Sequence, residues 1–73
     1  MKKYYKCVYY IKGWNSRIQF YHGEEQKVIN FVTDKYNKDY IREPSFIEIS
    51  KEQFDTENKL YKNIGKNIEL VKL

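Results

Sequence analysis

The sequence predicts an α+β fold: a small two-layer sandwich in which a mixed four-stranded sheet carries two helices on one face, in the order β-β-α-β-α-β. Three observations lead there. The first 22 residues alternate in a period of two on either side of a Gly13-Trp14-Asn15-Ser16 turn. Two later stretches switch to the helical period of 3.6, and Ser50 and Gly65 bracket the second of them as start and stop signals. Short apolar β segments follow each helical stretch. The 73 residues leave room for one domain, 1–73, and a chain of this size buries only about 60% of the surface its unfolded form exposes.

The elements follow in order. Residues 4–12 set Tyr5, Cys7, Tyr9 and Ile11 on one side and Tyr4, Lys6, Val8, Tyr10 and Lys12 on the other. Arg17 to His22 alternates again, with Ile18 and Phe20 against Arg17, Gln19 and Tyr21. Setting Lys12 opposite Arg17 across a four-residue loop places Ile11 against Ile18, Tyr9 against Phe20 and Cys7 against His22, with Tyr10 against Gln19 and Val8 against Tyr21 on the reverse side. Val28, Ile29, Val32 and Tyr36 form a helical stripe over roughly 24–37, with Glu24 and Glu25 at the positive end of the helix dipole and Lys35 and Lys38 at the negative end. Asn37 to Pro44 reads as a break, and Ser45 to Ile49 as a short strand. Ser50 and Gln53 make a capping box for the second helix, whose looser stripe is Phe54, Leu60, Tyr61 and Ile64 before Gly65. Asn67 to Leu73 is the last strand. A strand, a helix and a further strand normally connect right-handed with the strands parallel, and packing both helices on one face leaves the other face to solvent.

Charge is unevenly distributed. The first 22 residues hold Lys2, Lys3, Lys6, Lys12 and Arg17 and no acid, together with seven of the 13 aromatic residues, so the net +4 belongs to the N-terminal third. Lys, Asn, Ile, Tyr and Phe make up 38 of the 73 residues, Arg occurs twice and Ala is absent, which fits an AT-rich source such as a low-GC bacterium, its phage, another mobile element or a virus. In such a composition lysine abundance says little by itself about phosphate binding, for which the Arg fork is the more specific signature.

Catalytic chemistry finds little to work with. His22 and Cys7 are the single histidine and the single cysteine; two such groups fall short of the four ligands of a structural zinc site, and a Cys-His nucleophile needs an oxyanion site and a cleft as well. Glu24 and Glu25 point about 100° apart on a helix and suit the helix dipole better than acid-base work. No phosphate-binding glycine loop, dinucleotide turn or zinc spacing occurs. The sequence therefore predicts a non-enzyme with no cofactor, no metal and no catalytic residues. One cysteine forms no intramolecular disulfide and no apolar stretch is long enough for a signal peptide or membrane helix, so a reducing cytoplasm and no membrane partner are expected.

Binding is what remains. The expected outward side of the hairpin displays Lys6, Tyr10, Lys12, Arg17, Gln19 and Tyr21, with Trp14 at its tip. One reading makes Trp14, Tyr10 and Tyr21 anchors for another protein, steered by the basic residues toward an acidic patch, as in an inhibitor or adaptor encoded by a phage, a virus or a mobile element. The alternative is a single-stranded nucleic acid lying on the Lys/Tyr face, although the aromatic-glycine signature of the RNA-recognition sheet is missing. A second copy of the chain is a further candidate partner, since small cores draw stability from association. The plainer readings are a solvated sheet face and a Trp14 folded back on its own domain.

Overall fold

The computed structural model describes residues 1–11 and 16–73, with the backbone alone for Ile11 and residues 36–43. β1 (Lys2–Ile11), β2 (Ser16–Glu24), α1 (Glu25–Asp39), β3 (Tyr40–Ile49), α2 (Lys51–Asn63) and β4 (Leu70–Lys72) follow one another, giving the α+β order predicted. The four strands form one mixed sheet in the order β3-β1-β2-β4. Strand β1 is antiparallel to both neighbours, and β2 is parallel to β4.

The helices lie on opposite faces of this sheet, not on one. Tyr21 packs with Tyr5, Cys7 and Tyr9 beneath Val28 and Val32 of α1, whereas its neighbour Phe20 packs with Ile49 beneath Phe54 of α2. Successive strand residues point to opposite sides, so each helix has a face to itself. Strand order supplies the reason. The β2-α1-β3 connection crosses β1 in one direction, and β3-α2-β4 returns across the whole sheet in the other. Two crossovers of the same hand that travel in opposite directions must use opposite faces.

The hairpin register differs from the expected one by three residues. Tyr9 faces Arg17, Cys7 faces Gln19 and Tyr5 faces Tyr21. An odd slip exchanges the faces of β2 relative to β1. Ile18 and Phe20 leave the side of Tyr9 and join Tyr61, Ile68 and Leu70 under α2, while the Tyr21 hydroxyl meets that of Tyr9 in the other core. Both arrangements bury apolar surface, but only the observed one serves two helices.

Local signals account for the ends of the elements. Ser50 Oγ accepts the Gln53 amide at 3.0 Å, as the capping box requires. At the other end of α2, the Gly65 amide donates to Lys62 O at 3.1 Å and the Lys66 amide to Tyr61 O at 2.8 Å, a Schellman closure in which Gly65 takes φ 81°. Strand β3 starts at Tyr40, five residues before the expected Ser45, and runs through Pro44. It tolerates a proline because it is an edge strand and its ladder bulges there: from Val8 to Tyr10, β1 advances two residues while β3 passes from Ser45 to Arg42. Glu24 closes β2, leaving Glu25 in the first turn of α1. Gly23 is needed for a close approach, since a Cβ there would stand 2.9 Å from the Leu73 carbonyl oxygen, and the Leu73 amide donates to His22 O at 2.8 Å.

The two-faced packing predicts that Phe54→Ala lowers unfolding free energy by about 3 kcal/mol. Leu60→Ala, at a position of α2 that is 59% exposed, changes it by less than about 0.5 kcal/mol. Urea unfolding of the two variants checks this, and equal losses would contradict the orientation of α2.

Candidate functional site

The hairpin face that the sequence offers to a partner is not an open surface. Tyr21 is fully buried in the α1-side core. Lys6 points to α2, where its Nζ bonds Glu57 Oε1 at 2.7 Å with both side chains mostly buried, and that bond holds the lysine above its ordinary pKa. Tyr10 is half-buried. Gln19 is half-buried and donates from Nε2 to the Glu69 carbonyl. Arg17 alone of these five is exposed. Lys12 and Trp14, and with them the hairpin tip, lie outside the described residues. The expected outward display is thus corrected for Lys6 and Tyr21: α2 covers the face to which Lys6 points, and the shifted register turns Tyr21 to the other face, beneath α1.

Cys7 and His22 are not partners. Cys7 faces Gln19 across the ladder and sits in the α1-side core, while His22 faces Tyr4 on the other side of the sheet. There its ring stacks on Tyr4 at 4.2 Å between centroids, and Tyr4 stacks on Phe54 at 5.6 Å. Burial pushes the Cys7 thiol up to about 11, which leaves it protonated and a poor nucleophile at neutral pH. Beside it the Tyr9 phenol is driven far above its ordinary range, first by burial and then by its bond to Tyr21. Among the described residues no group of three or more His, Cys, Asp or Glu comes together. No helix among them is long and apolar enough to cross a membrane.

A groove of about 390 Å³ opens at the outer edge of β2, between Ser16–Gln19 and the chain at 66–68. It is built from three distant parts of the sequence. Strand β2 supplies Arg17, on the α1 face and directly opposite Tyr9. Helix α1 supplies Lys35, whose Nζ stands 5.4 Å over the Tyr9 ring, a cation-π contact on a buried aromatic. The turn after α2 supplies Lys66, and Ile18, Tyr61 and Ile68 line the α2 side. Three cations and no carboxylate border the groove among its described residues. Like charges held together in a partly enclosed cleft concentrate a positive potential and raise the local concentration of anionic groups.

Of these residues the sequence singled out Arg17 and Gln19 and missed Lys35, Lys66, Tyr61 and Ile68. Lys35 carries a signal of its own as a cation in the last turns of a helix, and that signal speaks of the helix dipole. Nothing local connects it to Arg17. No family model matches the chain, and no curated protein or solved structure matches it either.

The buried thiol and phenols set a pH limit. Their folded-state values are raised by burial, so the folded form holds these protons longer than the unfolded chain does. Their contribution to stability is complete below the ordinary thiol value of 9.0 and is lost as pH rises through it toward about 11. Urea midpoints are expected to stay level from neutrality to about pH 8 and then to fall. Cys7→Ser should make that decline shallower, and an unchanged slope would remove the thiol from the account.

Proposed function

We propose that this chain is a small non-enzymatic binding protein that acts by contact with another protein, as an inhibitor or adaptor. The observation that supports it best is the convergence of Arg17, Lys35 and Lys66 on one groove without a carboxylate among its described residues, at the end of the sheet where the N-terminal hairpin begins its second strand. Such a site favours an acidic surface on the partner, and charge of this kind serves encounter rate and selectivity more than raw affinity. The composition supports a phage, viral or other mobile-element source and a cytoplasmic setting. Trp14 belongs to the proposal as a hot-spot anchor on sequence grounds, beside Lys12 and Tyr10.

The nucleic-acid reading asks for aromatic rings stacked on an open sheet face. Here Tyr21 is buried and Lys6 is engaged by Glu57, so support moves to the protein partner.

Affinity capture from the source cell, with and without nuclease, tests the proposal. A protein partner should survive nuclease and be released by raised salt, as expected of an interface steered by exposed charge. Trp14→Ala should weaken that partner by about 2 kcal/mol or more while shifting stability by less than about 0.5 kcal/mol. Loss of all captured material on nuclease treatment would replace the protein partner by a nucleic acid.

A further inference from the structure

The outer edge of β2 is only half used. Strand β4 pairs with Phe20, Tyr21 and His22, and among the described residues no strand lies beside Ser16–Gln19 on the side away from β1. Gln19 closes the upper end of the opening through its bond to the Glu69 carbonyl, and the chain at 66–68 forms the far wall. An unpaired strand edge presents backbone donors and acceptors at the spacing another strand requires, and such edges recruit extended peptides.

The walls differ in chemistry according to face. Arg17 and Lys35 flank Tyr9 on the α1 side, whereas Ile18, Tyr61 and Ile68 belong to the α2 side. A strand laid beside β2 sends alternate side chains to these two walls. We propose that the groove receives an extended acidic segment of a partner protein as an added strand along Ser16–Gln19, with acidic side chains at alternate positions toward Arg17 and Lys35 and apolar ones between them toward Ile18 and Tyr61. This rests on the protein-contact reading above and names the chemistry of the partner. A polyanion held by charge alone would be indifferent to the order of its acidic and apolar groups, and that difference makes the inference testable.

Two hexapeptides of identical composition serve as probes, acetyl-Asp-Val-Glu-Ile-Asp-Val-amide and its block isomer acetyl-Asp-Glu-Asp-Val-Ile-Val-amide. They are titrated against the full chain by two-dimensional amide NMR, beside an oligothymidylate of equal charge. The alternating peptide is expected to bind about tenfold more tightly than the block isomer, since both carry the same backbone amides and only the alternating one matches both walls when paired as a strand. Its resonance changes should centre on residues 16–19, and N-methylation of every second peptide amide should erase the advantage. Arg17→Glu combined with Lys35→Glu, with a dispersed amide spectrum showing the fold intact, should abolish the preference. Equal binding of the two isomers, tighter binding of the oligothymidylate, or changes centred elsewhere than residues 16–19 would overturn the proposal. If the double variant still captures a nuclease-resistant protein partner, the groove is overturned and the protein-contact reading stands. If the captured material is lost to nuclease, both fall.

Discussion

The connections β2-α1-β3 and β3-α2-β4 travel across the sheet in opposite directions, and the shared hand of such crossovers sends their helices to opposite faces. From this follows most of what is particular to the molecule. Each face of a four-stranded sheet must be apolar where its helix lies, so β1 and β2 have no side to spare for solvent along their middle. Tyr5, Cys7 and Tyr9 look one way and Tyr4, Lys6 and Val8 the other, and every one of the six is buried or half-buried. A buried polar group in that stretch costs free energy unless it finds a partner. Lys6 finds Glu57, and Tyr9 finds Tyr21.

Dividing 73 residues between two cores makes both of them thin, and aromatic rings fill them. Large rings cover much area per residue and stack in defined geometries, as Tyr5 does on Phe46 at 4.9 Å and Phe20 edge-on to Phe54 at 5.1 Å. Their hydroxyls carry a cost. Tyr5 Oη is buried without a hydrogen-bond partner, as are Glu57 Oε2 and Asn58 Oδ1 on α2, and unmade bonds of this kind offset part of the burial gain. The same crowding leaves Lys6 paired with Glu57 in the middle of the hairpin, and the cationic groove lies at the sheet edge instead of on its face.

Much of the architecture was legible in the chain. Ser50 with Gln53 and Gly65 announced both ends of α2, and the two periods separated strands from helices. Face and register were not. Alternation assigned sides within each strand correctly, but pairing apolar with apolar across a four-residue loop chose Ile11 against Ile18, while the observed ladder joins Tyr10 to Ser16. The pairing rule assumes one wet face, and this sheet has none along its middle. Pro44 hid the first half of β3 for a related reason, since whether a proline breaks a strand depends on whether that strand lies at an edge, which is a property of strand order. Of the groove, Arg17 and Gln19 were visible. Lys35 and Lys66 were not, because only the topology brings the end of α1 and the turn after α2 to the lower edge of β2.

The irregular pairing of β3 bears on how the molecule behaves in a crowded solution. A flat outer strand of ten residues is a template on which identical chains can stack edge to edge. Here the ladder loses step between Val8 and Tyr10 and again before Ile11, and Pro44 within the strand has no amide hydrogen to donate. A second copy approaching β3 meets a bent, interrupted line of donors and acceptors and gains few hydrogen bonds from it. On the opposite side β4 offers only three residues. The sheet can thus hold one short stretch of β2 open to a visitor while its long flank resists growth into a fibre.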